Sequence, residues 1–183
     1  MIVPFLLFVL SCAGVAAALL LPGVSDLLLL AVPSVLASLF LLIRAIVRQE
    51  LPPKWIVVDG SNVMHWKDGT PQIETLREVV QRLTELGFRP GVVFDANAGY
   101  KISGRYRHDW AMGKLLGLPE ERIMVVPKGT PADPKILAAA RGLGARIVTN
   151  DRYRDWAEAH PEVNEPGQLI RGGYRDGALW LEV

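Results

Sequence analysis

Four aspartates in this sequence are spaced so that a suitable fold could bring them to one place. Asp59 ends the apolar run Trp55-Ile56-Val57-Val58, Asp95 ends Gly91-Val92-Val93-Phe94, and Asp151 follows Ile147-Val148-Thr149-Asn150. Asp133 stands in Thr130-Pro131-Ala132-Asp133, shortly after a further apolar run, Ile123-Met124-Val125-Val126. Carboxylates gathered at one point repel, and raise one another's pKa unless a cation neutralises them. A hard divalent ion with oxygen ligands, Mg²⁺ or Mn²⁺, is the natural partner; it can polarise a phosphodiester and activate water for in-line attack. No histidine lies among the four, which disfavours a zinc hydrolase. Taken singly, an Asp after a strand is more often a helix cap or turn former, and Asp133, directly before Pro134, is the clearest case. Only convergence would make a metal site of them.

An alternating α/β fold would supply that convergence. The four apolar, β-branched runs have the composition of strands buried on both faces. Between the first two, Thr70-Pro71 resembles an N-cap followed by a first-turn proline, Ile73, Leu76, Val79, Val80, Leu83 and Leu86 keep helical spacing, and Gly87 suits the stop. A second helix is expected over residues 105–116 with Trp110, Leu115 and Leu116 inward. A third opens near Asp133, which is placed to cap it, and buries Ile136, Leu137 and Ala140. A short helix near residues 154–159 follows the last run. Residues 169–174 and 178–183, joined by Asp176-Gly177, read as a closing hairpin. Strand–helix alternation implies a doubly wound, mostly parallel sheet, which binds ligands outside the carboxyl ends of its strands. Asp59, Asp95 and Asp151 would stand at that edge, with Asp133 opening the helix after the third strand.

The first 48 residues are of another kind. Residues 1–43 contain no Lys or Arg, and Asp26 is their only charged side chain. Ile2 to Leu21 is an uncharged run long enough to span a bilayer, and Leu27 to Ile43 is a second, extendable to Val47 if Arg44 snorkels. The turn at residues 22–26 is so short that two spans must form an antiparallel hairpin. Arg44, Arg48 and Lys54 follow the second span whereas the turn carries only Asp26, so the hairpin ends and all that follows should be cytoplasmic (beneath the inner membrane, in a bacterium). A cleaved signal peptide would need a basic stretch before the first run, and there is none. Cys12 is the only cysteine, excluding an intrachain disulfide or cysteine-built zinc site; with no basic residue ahead of it, Leu10-Ser11-Cys12 is a poor lipidation signal. The expected organisation is a transmembrane hairpin over residues 1–48, a stiff linker over 49–54, and an α/β domain over 55–183.

Within the last of these, Val57-Val58-Asp59-Gly60-Ser61-Asn62-Val63 resembles the opening motif of NYN-domain nucleases, a branch of the PIN-like ribonucleases. Thr149-Asn150-Asp151-Arg152-Tyr153-Arg154-Asp155 resembles the closing motif, and Thr130-Pro131-Ala132-Asp133 sits where the middle acidic motif belongs. The likeness spans roughly residues 55–160 and is greatest to the endoribonuclease domains found beside CCCH zinc fingers. It implies a three-layer PIN-like domain with a central, mostly parallel sheet. It also implies metal-site acids at Asp59, Asp133 and Asp151, a further one at Asp155, and an Asn62 that orients Asp59 or contacts the scissile phosphate. The implied activity is Mg²⁺- or Mn²⁺-dependent endonucleolytic cleavage of single-stranded RNA. One departure stands out: those enzymes carry adjacent acids in the middle motif, where this chain has Ala132 before Asp133. Asp95 could compensate.

Partners other than RNA and the bilayer are weakly indicated. The net charge of the whole chain is +1 at pH 7, too mild to argue for nucleic acid in bulk. Local contacts are available in Lys101, Arg105 and Arg107, which flank Tyr106, and in Lys128 and Arg152 near the proposed site; basic groups beside an aromatic suit phosphate binding with base stacking, or simply a solvated loop. His65 and Trp66 follow the first motif. Tyr153 and Trp156 fit a core better than a base platform. Gly142-Leu143-Gly144 precedes a strand rather than following one and no phosphate-binding Gly-Lys-Ser/Thr loop occurs, so no nucleotide cofactor is expected. Self-association is left open. Competing readings are an RNA-binding module without turnover, a DNA or structure-specific nuclease, and a metal-dependent phosphohydrolase of small molecules.

Overall fold

The computed structural model describes residues 2–23, 25–49 and 53–183. The chain divides into two compact units, residues 1–52 and 53–183. Val24 of the expected turn and residues 50–52 of the expected linker lie outside the described residues.

Unbroken apolar sequence makes the first unit two long helices, α1 (Ile2–Leu20) and α2 (Leu28–Gln49), which pack against each other. Small residues set their approach: a Cβ on Gly14 would lie 3.6 Å from that of Ala31, and among the described residues Ala18, Ala31 and Ser38 are the buried side chains. Ser11, Ser34 and Ser38 return their hydroxyls to carbonyls one turn back, which satisfies these three groups within their own helices. Both helices are long and apolar enough to cross a membrane, with mean hydropathy 2.5 over Val3–Leu20 and 2.2 over Leu28–Ala45.

The second unit is built on five strands: β1 (Lys54–Asp59), β2 (Phe88–Phe94), β3 (Ile123–Val125), β4 (Arg146–Val148) and β5 (Leu169–Ile170). All neighbours are parallel, in the order β3-β2-β1-β4-β5. Alternation along the strands fills two cores. Ile56, Val58, Val92, Phe94 and Val148 join one with helix α4 (Ile73–Glu85); Val57, Val93 and Ile147 join the other with helix α7 (Asp133–Leu143). Helices on both faces of a parallel sheet make the three-layer α/β architecture that the alternation of runs predicts. Chain order reverses between β1 and β4, and the crevice at such a switch point is where this fold binds ligands.

Three short helices complete the unit: α3 (Gly60–Val63) directly after β1, then α5 (Ala98–Ser103) and α6 (Asp109–Leu116) after β2. Of the helix expected over 105–116 only α6 forms, starting four residues later; the additional helix α5 precedes it, and the chain turns left-handed at Gly104 between the two. Trp110 points outward, 54% exposed and stacked on His108, whereas Leu116 is buried as expected, Leu115 packs partly buried against the core, and Met112, one turn before Leu116, takes the inward place. Helix α4 begins later than the Thr70-Pro71 pair suggests. Gln72 occupies its N-cap, and Thr70 Oγ1 merely accepts from the Gln72 amide. The closing hairpin is also shorter than expected. Leu169 and Ile170 pair in parallel with β4, and Ile170 is fully buried, so the hairpin proper is β6 (Gly172–Arg175) and β7 (Ala178–Leu181). Asp176 and Gly177 both adopt positive φ, as a two-residue type I′ turn requires.

Candidate active site

Asp59 is the deepest acid of the switch-point crevice, 6% exposed at the last position of β1. Gly60 must follow it, since a Cβ there would lie 2.5 Å from the Phe94 ring and 2.8 Å from Val92; α3 sits that close to β2. Asp59 Oδ1 accepts from the Asn62 backbone amide at 3.0 Å, so Asp59 is indeed a helix cap. Its Oδ2 does something a cap does not. It accepts from the Thr149 hydroxyl at 3.0 Å and the Tyr153 hydroxyl at 3.1 Å, groups about ninety residues further along the chain. Burial pushes the Asp59 carboxyl up to about 6, against the pull of the Asn62, Thr149 and Tyr153 hydrogen bonds and with help from the Asp133 charge. Burial likewise raises the Tyr153 phenol, as does the Asp59 charge beside it. That hydroxyl stays a donor.

Asp133 is half-buried at the first turn of α7 and does not cap it. The N-cap position belongs to Ala132, and no side-chain cap bond forms. Instead Asp133 Oδ2 accepts from the Trp156 indole N–H at 3.2 Å. Burial raises its pKa first, then the charge of Asp151, then that of Asp155, with the Trp156 bond opposing. Asp151 is exposed; its backbone N–H donates to Thr149 Oγ1 and its Oδ1 accepts from Tyr153 N–H. The Asp133 charge thus acts on Asp59, and those of Asp151 and Asp155 act on Asp133, with Asp59 buried, Asp133 half-buried and Asp151 and Asp155 exposed. Asp95 belongs to a different local network. Its N–H donates to Ser61 Oγ, its Oδ1 accepts from Asn97 N–H, and its Oδ2 pairs with Lys101 Nζ at 3.7 Å.

Asn62 ties the first motif to the last. Its side-chain oxygen accepts from Trp66 Nε1 at 2.8 Å and from the Asn150 backbone N–H at 3.0 Å. It is the Asn62 backbone, not the side chain, that orients Asp59; the side-chain NH₂ is what remains for a ligand. Trp66 is a buttress, and His65 Nδ1 lies 2.9 Å from the Ser61 carbonyl. Asn150 pairs with Gly172 through its amide, and Arg171 holds the Thr149 and Asp151 carbonyls.

A match to the family model described as the Zc3h12a-like ribonuclease NYN domain covers residues 53–169. The chain belongs to that family. This NYN ribonuclease domain also resembles two solved structures of the nuclear protein-only RNase P 2 (PRORP2) of Arabidopsis thaliana. One has a TM-score of 0.55 at 20% identity, covering 79% of this chain and 32% of that one. The other has a TM-score of 0.54 at 17% identity, covering 94% of this chain and 35% of that one. These likenesses are of fold, and the chain spans about a third of the length of either structure. No curated protein matches its sequence. The NYN assignment places the domain in a family of ribonuclease domains, and the PIN-like fold follows with it.

Could the acids hold a metal? Among the described residues no three Asp, Glu, His or Cys side chains already crowd one point closely enough to ligate an ion. The donor set is nonetheless all carboxylate oxygen, with Asp59 and Asp133 raised in part by neighbouring negative charge. Such a set suits a hard divalent cation rather than zinc. Of the basic residues, Lys128, Arg105 and Arg152 are exposed, Lys101 is paired with Asp95, and Arg107 donates from Nε to Ser103 Oγ at 2.7 Å. Sequence reasoning missed the parts played by Thr149, Tyr153 and Trp156. Their signal was available, since all three lie within seven residues of Asp151 in or beside the closing motif.

Proposed function

We propose that this protein is a membrane-anchored endoribonuclease that hydrolyses single-stranded RNA with the help of Mg²⁺ or Mn²⁺. The observation that carries the reading is Asp133 standing between two other acids at the switch point of an NYN-family domain, its charge acting on Asp59 and that of Asp151 acting on it. NYN and PIN-like nucleases generally use divalent ions, and a bound ion would polarise the phosphodiester and lower the pKa of an attacking water. Asp59, Asp133 and Asp151 would hold it, with Asp155 and Asp95 as outer contributors or a second site. Asp59 serves by being fixed: three donors leave its carboxylate a single orientation. Tyr153 and Thr149 position Asp59, and Trp156 positions Asp133. The Asn62 NH₂ is offered to a non-bridging phosphate oxygen, its own oxygen being engaged by Trp66 and Asn150. Arg152 and Lys128, with Lys101, Arg105 and Arg107 farther out, contact the RNA backbone.

The test uses the full chain in detergent or nanodiscs with end-labelled single-stranded RNA, duplex RNA and single-stranded DNA. The parent should cut the first with Mn²⁺ or Mg²⁺ and not with chelator, and Asp59→Asn and Asp151→Asn should each lose at least a hundredfold in rate. Equal cutting by both variants would sink the site assignment. A second reading, a tethered RNA-binding module without turnover, is motivated by Ala132, where the endoribonuclease domains found beside CCCH zinc fingers carry an acid. Tight RNA binding by a parent that never cuts would select it, and faster cutting of DNA or duplex would select a different nuclease class.

A further inference from the structure

A cavity of about 360 Å³ opens on the same edge of the sheet, lined by Ala96, Asn97, Tyr100, Tyr106 and Lys128. It is made by the segment after β2 and by the residue that follows Pro127 after β3, both beyond the carboxyl ends of their strands. Tyr100 and Tyr106 are 54% and 50% exposed, unusual for two aromatic rings that border one cavity. Their placement is enforced. Tyr100 rides on α5, the chain reverses at Gly104, and the returning segment passes so close to Gly99 that a Cβ there would meet Arg107 N at 2.6 Å and Arg105 O at 2.8 Å. The Arg107–Ser103 hydrogen bond clips the reversal shut. Asp95 then joins this arm to the acids: it caps Asn97 with its side chain and meets Ser61, two residues after Asp59, with its N–H.

The geometry points to a nucleobase subsite, in which one unpaired base of the RNA inserts beside Tyr100 and Tyr106 while Lys128 takes the adjoining phosphate. The proposal rests on the reading of the domain as one that acts on RNA, and it adds where the substrate is gripped away from the scissile bond. Small-ligand sites run upward from ~300 Å³, so this cavity is sized for one planar base rather than a length of backbone. Aromatic faces stack any base, a cation beside them meets the phosphate, and the exposed Asn97 amide can pair with a base edge at the rim. Lys101 is held by Asp95, which leaves Lys128 as the cation at the cavity wall.

Binding of a fluorescent single-stranded RNA octamer to the full chain in nanodiscs tests this, read by anisotropy in chelator so that turnover does not enter. A series of octamers, each with one abasic position, should reveal one position whose base is worth about tenfold in affinity to the parent. Tyr106→Ala and Tyr100→Ala should bind the intact octamer about tenfold more weakly and be indifferent to that abasic substitution; Tyr106→Phe should behave as the parent. Lys128→Gln should weaken all octamers alike and flatten the salt dependence by roughly one phosphate contact, keeping the abasic penalty. An abasic penalty that persists in full in both alanine variants overturns the proposal, as does a parent that shows no RNA affinity. Because cutting is not measured, a nuclease assignment that fails with Mn²⁺ and Mg²⁺ leaves a positive abasic result standing.

Discussion

Asp59 carries the tension between stability and activity in this fold. Between pH 3.8 and about 6 the folded chain keeps a proton on Asp59 that the unfolded chain has already released, so raising the pH through that window weakens the fold. Above it the loss is complete, and raising the pKa from 3.8 to about 6 corresponds to roughly 3 kcal/mol. Without divalent ions the parent should therefore be more stable at pH 4.5 than at pH 7. All five tryptophans lie beyond residue 53, so their fluorescence during urea unfolding reports on this unit. Asp59→Asn keeps an acceptor for Asn62 N–H and offers an NH₂ to hydroxyls that can turn to accept it. That variant should be more stable than the parent at pH 7.5 in chelator by about 1–3 kcal/mol, with a flatter pH dependence, while losing cleavage. Lower stability of the variant at pH 7.5 would mean that burial does not govern Asp59. Tyr153→Phe makes a finer probe. It removes a hydrogen bond that holds the carboxyl down, so the acidic limb of the pH–rate profile should move to higher pH, with about a tenfold loss in rate. An unmoved limb would reduce Tyr153 to packing.

Elements bring these groups together, and they differ in how much of themselves the sequence discloses. The strands were readable because β1, β2 and β4 are short β-branched runs buried on both faces, and each hands its aspartate to the edge where helices begin. The 98–116 region was not, since its helical periodicity is interrupted by a left-handed turn, and Trp110 looks like core until the fold turns it outward. Nor was the parallel pairing of Leu169-Ile170, which rests on contacts with Ile147 and Val148 of β4, 22 residues earlier. Asp133 is the instructive case. Its position before a proline and at a helix start has the pattern of a cap, yet the carboxyl turns to Trp156 and to the other acids. Sequence discloses where an acid stands; the partner that claims its second oxygen comes from distant chain. The contact between α3 and β2 gives an element-level prediction. Gly60→Ala should cost about 1–3 kcal/mol through the Phe94 ring and displace Asp59 and Asn62 on either side, slowing cleavage. Combined with Phe94→Leu, it should cost less than it does alone, and strict additivity of the two would exclude steric contact as the cause.

As a membrane anchor, the helical pair over residues 2–49 would set where such a site works. Leu6, Leu10, Leu20, Leu29, Leu30, Leu36 and Phe40 all stand more than half exposed on these helices. Exposed apolar patches beyond a few hundred Å² mark contacts with membrane or protein, and both helices are long and apolar enough to cross a bilayer. The satisfied serine hydroxyls and the Gly14–Ala31 contact fit a hairpin whose outer faces meet lipid. Retention of Arg44, Arg48 and Lys54 on the cytoplasmic side would then fix the hairpin's orientation and place the NYN domain with them. Carbonate washing of membranes from expressing cells should leave the protein in the pellet. In a Cys12→Ser background, which removes the only native thiol, Asp26→Cys should react with a membrane-impermeant maleimide on intact cells, and Glu182→Cys only after lysis. The reverse pattern would put the nuclease outside the cytoplasm, and release by carbonate would remove the bilayer from the proposal. The expected pattern confines the enzyme to RNA that comes to the inner face of the membrane, so that encounter there, as well as any preference built into the crevice, would select what is cut.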